Sequence, residues 1–291
     1  MIISLSKNLP KTFNINLNRN ILTKEVQQFI NDHINTDISK LLLKPSPFKN
    51  ISVTDLANQI ICKTKSKTKL PSWYNSKDIM YPTPLNIEQT SSEITAQYKS
   101  KLVKGNCLVD LSGGFGVDTY YFSKQFEKVI HIEHNNQLSD IANHNFKVLG
   151  CYNIETHCAD SLELLPKLKD QIDCIYVDPS RRHDVKGKVF LFSDCVPNIV
   201  KHCEMLFKIS KVILIKSSPL VDIKSGKNEL KHVSAIYILA VKNEVKELLW
   251  LLDKNNEKPV KIITYKPVLF SNYRLSRENL KFRNLLERNS F

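Results

Sequence analysis

Between residues 107 and 215, short apolar runs alternate with longer amphipathic stretches. Cys107–Leu111, Val129–Ile132, Ile154–His157, Asp173–Val177 and Val212–Ile215 are brief and largely apolar, as strands buried on both faces of a parallel sheet are. Val117–Gln125, Gln137–Leu149, Ser161–Leu168 and Val196–Ile209 separate them and place apolar residues at helical spacing. This alternation predicts an α/β fold, a parallel sheet covered on both faces. Val233–Val241 reads as a sixth strand. Val245–Leu252 fits a helix by its leucine period, but a hairpin strand turned back at Asn243 closes the sheet, and that reading is adopted. Lys261–Tyr265 is one more strand candidate.

Residues 22–82 read as helical and basic. Ile21, Val26, Phe29, Ile30 and Ile34 recur at helical spacing, with Thr23 as N-cap. Ile38–Leu43 extends the pattern until Pro45 and Pro47 stop it. Ser52 or Thr54 caps a second helix bearing Leu56, Ile60 and Ile61. Lys63, Lys65, Lys67 and Lys69 follow. On a helix they spread around the cylinder; extended, they line one edge, and they form either a solvated face or a strip that tracks phosphates. Leu70–Tyr74 and Tyr81–Pro84 form a proline-punctuated connector, in which Trp73 either packs or stacks on a nucleobase. Thr90–Glu93 fits a capping box opening a helix with Ile94 and Tyr98 on one face. Three segments result: a basic helical domain over 1–85, the α/β domain over 86–253, and an extension over 254–291.

The charge changes the picture more than the composition does. A formal net charge of +13 favours a polyanionic partner, or else reflects a lysine-rich background. The seven cysteines stand singly, which implies reduced thiols. Met1-Ile-Ile-Ser lacks the charged start of a signal peptide, and no apolar run has the length of a membrane span. A cytoplasmic chain without a membrane partner is expected. His183, Cys195, His202 and Cys203 match no zinc spacing, so no metal is expected.

Candidate chemistry gathers at the carboxyl ends of the strands, where open α/β sheets bind ligands. Asp110 ends the first strand, and Gly113, Gly114 and Gly116 then leave backbone N–H groups bare. Glu133 ends the second strand, placed to accept both hydroxyls of a ribose. Asp160 follows the third, placed to accept from an adenine amine. Asp178 ends the fourth, before Pro179-Ser-Arg-Arg182. Any one of these acids could simply cap the next helix. A nicotinamide-dinucleotide site also uses glycines and an acid, but its spacing is GxGxxG, and it gives Asp160 and Asp178 no task. Arg181 and Arg182 are candidates for phosphate contacts or for an ion pair with Asp184; Lys216, ending the fifth strand, faces the same edge.

Asp110-Leu-Ser-Gly-Gly-Phe-Gly116, Glu133, Asp160 and Asp178-Pro179 resemble the ordered motifs of class I S-adenosylmethionine-dependent methyltransferases. Lys69-Leu-Pro-Ser-Trp73, Glu88-Gln-Thr-Ser-Ser-Glu93, Asp178-Pro-Ser-Arg-Arg182, Gly187-Lys-Val-Phe190 and Ser193-Asp-Cys195 resemble bacterial methyltransferases with a THUMP-like RNA-binding domain. Those are similar in turn to the trimethylguanosine synthase, or cap guanine-N2, group. The resemblance implies a Rossmann-like sheet, parallel with one antiparallel strand, beside a small N-terminal helical domain. It implies S-adenosylmethionine held by Asp110, Ser112, Gly113, Gly114, Phe115, Gly116, Glu133, Asp160 and Gln89. Asp178 and Pro179 become the catalytic pair, and Trp73, Arg181, Arg182 and Lys216 contact the substrate. The implied acceptor is RNA, at an exocyclic base amine. Methylation of a small molecule or protein, and an inactive RNA-binding module on the same fold, are the alternatives.

Two departures stand out. The chain reaches Phe291 without the C-terminal THUMP-like and ferredoxin-like region of the group, as a short version would. Ser180 and Arg181 replace the second proline and the aromatic residue of the amino-methyltransferase motif, so stacking must come from elsewhere or from a guanidinium plane. Cys195 does not stand beside Pro179, where the nucleophile of a C5-cytosine methyltransferase belongs.

Overall fold

A computed structural model describes residues 18–181 and 191–266, without the side chain of Arg181. Helices α1 (Lys24–Asp32), α2 (Ile38–Leu42), α3 (Val53–Lys69), α4 (Pro71–Asn75), α5 (Pro84–Gln89) and α6 (Glu93–Ser100) precede the first strand. Ser52 caps α3, its Oγ accepting from Asp55 N at 3.0 Å and donating to the Asp55 carboxylate. Leu56, Ala57 and Ile60 of α3 bury against Val26 and Ile30 of α1, giving this region an apolar cluster of its own. Thr23 precedes α1 as expected, but its side chain makes no capping bond.

Two expectations about this region need correction. Helix α3 runs unbroken through the lysines to Lys69, so Lys65 and Lys69 share one face while Lys63 turns inward and is buried. The capping box at Thr90 is absent. Thr90 closes α5, and Ser92 caps α6 with its Oγ on Thr95 N. Glu93 reaches instead to α4, accepting from Ser72 N at 2.5 Å and Ser72 Oγ at 3.1 Å.

The α/β part follows as β1 (Cys107–Asp110), α7 (Val117–Phe122), β2 (Lys128–Glu133), α8 (Asn136–Val148), β3 (Ile154–Cys158), α9 (Ser161–Leu164) and β4 (Cys174–Val177). Then come β5 (Ser180–Arg181), β6 (Cys195–Val196), α10 (Ile199–Ile209), β7 (Val212–Ser217), α11 (Ile223–Glu229), β8 (Val233–Val241), β9 (Glu244–Asp253) and β10 (Lys261–Tyr265). Eight strands form one sheet in the order β10-β8-β9-β7-β4-β1-β2-β3, and β5 pairs with β6 in a separate antiparallel ladder. Strand β9 is antiparallel to both neighbours, β7 and β8, whereas the other pairings in the large sheet are parallel.

The hairpin reading of Val245–Leu252 holds. Lys242 and Asn243 take φ of 53° and 65°, the positive pair that a tight two-residue hairpin turn requires. Leu248, Leu249, Trp250 and Leu252 are all buried, because both faces of β9 are covered; a leucine run of this kind has no one-sided period to read.

Elsewhere the boundaries shift. The helix expected from Val196 starts at Ile199, since Val196 pairs with Ser180 and Asn198 supplies the cap through Lys201 N. Ser161–Leu168 divides at Pro166 into α9 and a 3-10 turn, Leu165–Lys167. Helix α11 had no apolar period to announce it. It is held by a close approach: a Cβ on Gly226 would lie 2.4 Å from the Trp250 ring.

One apolar layer covers the face bearing Ile175, Val177, Ile213 and Trp250, packed by Leu206 and Phe207 of α10. On the opposite face Phe122, Tyr176 and Leu249 form a second layer. Trp73, Met80, Tyr81 and Ile87 join the N-terminal helices to Phe115, Val117 and Ile141. Helix α3, about 25 Å long, therefore begins near α8 and ends near β7, roofing the carboxyl edge of the sheet.

Candidate active site

The turn after β1 is organised by a buried carboxylate. Asp110 Oδ1 accepts from Ser112 N at 2.9 Å and Ser112 Oγ at 3.1 Å, and Oδ2 accepts from Thr119 Oγ1 at 2.7 Å. Burial pushes this carboxyl up to about 7 despite those donors. The N–H of Asp178 donates to Ser112 Oγ at 2.7 Å. A continuous hydrogen-bond chain thus runs from the end of β4 through Ser112 to the end of β1.

The glycines answer steric demands. A Cβ on Gly113 would sit 2.4 Å from His131 Nε2, and one on Gly116, at φ 83°, would sit 2.4 Å from the Phe146 ring. Gly114, at φ 56°, donates its N–H to Glu133 Oε2 at 2.8 Å. Burial lowers the His131 imidazole to about 4, so it fills its place as a neutral ring. Phe115 points its side chain into the core, near Trp73 and Tyr81, leaving only its backbone to face the crevice.

Glu133 is nearly buried, and its second oxygen accepts from Asn135 N at 2.8 Å. Two main-chain donors therefore fix the carboxylate, while further lone pairs remain open to a diol. Asp160 is exposed at the third strand end. Its Oδ1 accepts from Leu162 N at 2.9 Å and Glu163 N at 3.1 Å, so it caps α9. Oδ2 has no hydrogen-bond partner among the described residues, which leaves it free to accept an amine. Gln89 is exposed at the end of α5, and no hydrogen bond ties it to the glycine loop.

The other side of the crevice is held by lysines. Asp178, half-buried at the end of β4, is ion-paired with Lys216 of β7. Burial works against the Lys216 charge, but Asp178, Glu247 and Asp118 outweigh it and hold the ammonium above its usual range. Behind this pair lies a second one. Lys99 of α6 is fully buried, its Nζ 3.0 Å from Asp118 Oδ1, 3.0 Å from Glu247 Oε1 and 2.6 Å from Ser91 Oγ. Asp118 Oδ2 also accepts from Ser91 Oγ at 2.9 Å and Tyr176 Oη at 2.8 Å. Burial opposes the Asp118 charge too, yet Lys99 and Lys216 keep its carboxyl below the usual range.

Two expected substrate contacts are corrected here. Trp73 is fully buried against Phe115, Tyr120 and Tyr121 and cannot reach a base. Lys216 is committed to Asp178 and so orients that carboxylate instead of meeting a phosphate. Pro179 is buried beside Asp178. The side chain of Arg181, together with Arg182, Asp184 and Gly187–Phe190, lies outside the described residues. Lys99, Tyr176 and Glu247 had no signal in the sequence, because each is paired with residues far away in the chain.

Lys65 pairs with Glu88, and Lys69 Nζ donates to the carbonyls of Ile87 at 2.8 Å and Glu88 at 2.7 Å, at the end of α5. Burial, and then the nearby charge of Lys216, lower the Lys69 ammonium to about 8. Among the described residues no group of His, Cys, Asp and Glu is placed to hold a metal, and no helix is long and apolar enough to cross a membrane. Cys107 and Cys174 are buried on their strands, where burial pushes the Cys107 thiol up to about 11.

Comparison with known proteins points to methyltransferases. Residues 105–182 match the family described as RNA cap guanine-N2 methyltransferase. A crystal structure of a candidate methyltransferase from Porphyromonas gingivalis W83 is 30% identical, with a TM-score of 0.71, covering 82% of this chain. The chain spans 59% of that protein's length. TrmK of M. capricolum, solved with S-adenosyl-homocysteine, is 15% identical with a TM-score of 0.42, over 61% of this chain and 71% of its own. An rRNA methylase from Streptococcus thermophilus is 15% identical with a TM-score of 0.39, over 55% of this chain and 94% of its own. No curated protein sequence matches. The eight-stranded sheet, its single antiparallel strand and the helices on both faces are the Rossmann-like fold of class I methyltransferases.

Proposed function

We propose that the protein is an S-adenosylmethionine-dependent methyltransferase acting on an exocyclic base amine of RNA. The hydrogen-bond chain from Asp178 N–H through Ser112 to Asp110 supports this most directly, since it fixes an acceptor-side acid against the glycine loop. The donor set also fits the cofactor. Glu133, oriented by Gly114 and Asn135, has lone pairs left for the ribose, and Asp160 Oδ2 for the adenine amine. When bound, S-adenosylmethionine supplies an electrophilic methyl carbon on its sulfonium.

The chain's own part is alignment. The Asp178 carboxylate and the Pro179 carbonyl accept hydrogen bonds from the two N–H groups of the incoming amine and aim its lone pair. As the nitrogen–carbon bond forms and the sulfur–carbon bond breaks, the amine proton becomes acidic, and Asp178 receives it and passes it to water. Lys216, ion-paired with Asp178, holds that carboxylate in place beforehand. The match of residues 105–182 and the net charge of +13 support RNA as the acceptor.

Calorimetry with S-adenosylhomocysteine, followed by incubation with labelled donor and cellular RNA and then nucleoside analysis, tests the proposal. Binding is expected, as is label in a base-methylated nucleoside, with Asp178→Ala abolishing transfer and sparing binding. Absence of binding by folded protein overturns the cofactor assignment. Label entering protein or metabolite fractions alone overturns the acceptor.

A further inference from the structure

A second cavity, of about 180 Å³, opens between the start of α3, the segment Met80–Asn86 and the first turn of α8. None of Asp110, Glu133, Asp160 or Asp178 lines it, so it is separate from the crevice described above. It nevertheless abuts that crevice, because Asn135 on its wall donates its N–H to Glu133.

Its floor is rigid. Gln59 clamps the Tyr81 peptide at both ends, Nε2 donating to Tyr81 O at 2.6 Å and Oε1 accepting from Tyr81 N at 3.0 Å. Asn145 does the same for Met80, with Oδ1 accepting from Met80 N at 3.0 Å and Nδ2 donating to Met80 O at 2.8 Å. Both clamps are buried, and Met80, Leu138 and Ile141 supply the apolar part of the lining.

The rim, by contrast, is a ring of carboxamides. Among the described residues the side chains of Asn58 and Gln137 have no hydrogen-bond partner. Asn86 and Asn135 spend Oδ1 on Thr83 Oγ1 and Leu138 N, which leaves each Nδ2 to donate. No lysine or arginine lines the cavity, so it offers no side-chain cation to a phosphate or carboxylate. The one acid, Asp55, is occupied by Ser52. An apolar patch beside neutral groups that both donate and accept suits a planar heterocycle read at its edge, as carboxamides read bases. A cavity of this size is smaller than the roughly 300–1,000 Å³ of sites for drug-sized ligands and takes a single ring system.

We infer that this cavity is a nucleobase site for the acceptor strand, taking an unstacked base several nucleotides away from the one being methylated. The inference rests on the RNA reading above. From this cavity α3 leads along the carboxyl edge to Lys65 and Lys69, near the Asp178–Lys216 pair. A single strand following α3 meets a base pocket at one end and the exposed Lys65 ammonium at the other.

The test compares the full chain with Asn58→Ala/Gln137→Ala, which leaves Glu133 and Asp178 untouched. Binding of the four homopolymeric ribohexanucleotides is followed by fluorescence anisotropy, and that of S-adenosylhomocysteine by calorimetry. For the variant, the hexanucleotide bound most tightly by the parent loses about tenfold in affinity, as the loss of an edge contact implies, while cofactor-product affinity stays unchanged. In steady-state transfer to RNA, KM rises and kcat holds. Equal hexanucleotide affinity for parent and variant overturns the inference. So does weakened S-adenosylhomocysteine binding, which would make the cavity the cofactor's adenine site. No hexanucleotide binding by a parent that binds S-adenosylhomocysteine removes the base site but leaves the methyltransferase assignment standing.

Discussion

The two halves of the crevice neutralise their carboxylates in different ways. On the side proposed for the cofactor, Asp110, Glu133 and Asp160 each accept from main-chain N–H, Asp110 also from the Ser112 and Thr119 hydroxyls. On the acceptor side Asp178, Asp118 and Glu247 depend on the ammonium groups of Lys216 and Lys99, which arrive from β7 and α6. Only proline removes a backbone donor, whereas most replacements of a lysine remove its charge. The first half is therefore robust as long as its turns form, whereas the second is a balance of buried charges that one replacement upsets.

The largest effect should follow from upsetting that balance. Lys99→Met leaves Asp118 and Glu247 in the interior without their directly bonded cation, with only Lys216 nearby, and is expected to cost about 3–5 kcal/mol in urea unfolding. Adding Asp118→Asn and Glu247→Gln should recover much of it. A loss below about 1 kcal/mol for the single variant would mean that the cluster is already neutral or wetter than its geometry implies.

Two buried groups on the robust side give opposing pH dependences. Asp110 titrates near 7 when folded, against 3.8 ordinarily, so it loses stability as pH climbs from about 4 to 7, where only the unfolded chain gives up the proton. His131 titrates near 4 when folded, against 6.5, so it loses stability as pH falls from about 6.5 to 4, where only the unfolded chain takes one up. Each contribution is a few kcal/mol at most, and in the parent they offset each other. Asp110→Asn should expose the acid-side loss and His131→Leu the opposite slope, both read from urea midpoints at a series of pH values. Parallel profiles for the two variants would refute the assignment.

A smaller cost tests the turn itself. Gly113→Ala forces a methyl against the His131 ring and should cost about 1–3 kcal/mol and weaken S-adenosylhomocysteine binding. Pairing it with His131→Ala should restore part of both, and strict additivity would deny the contact. Smallest of all, Lys65→Ala breaks a solvent-exposed pair with Glu88 and should change stability by less than about 1 kcal/mol. A larger loss would show that α5 depends on that pair.

The same division decides what could be read from the chain alone. Strand runs, the glycine turn and the acids at strand ends are local patterns, so β1 to β4 and Asp110, Glu133 and Asp160 were legible. Asp178 was legible as an acid, but its partner Lys216 looked like a substrate contact, since nothing local says that β4 and β7 are neighbours. Lys99 and Glu247 stand 148 positions apart and meet only in three dimensions. Thr90 matched a capping box, yet α5 already claimed it as an end. Trp73 looked available because a proline-rich connector suggested exposure, but Pro71 opens a helical turn that buries the ring. The hairpin at Lys242–Asn243 was visible through its asparagine, although the leucines beyond it fitted either period.

The central claim is that one half of the crevice binds the cofactor while the other presents the acceptor. Titration of S-adenosylhomocysteine into the parent, Glu133→Ala and Asp178→Ala addresses it most directly. Binding by the parent and by Asp178→Ala with similar affinity is expected, and none by Glu133→Ala. Loss of binding on replacing Asp178, or its survival on replacing Glu133, would contradict the account.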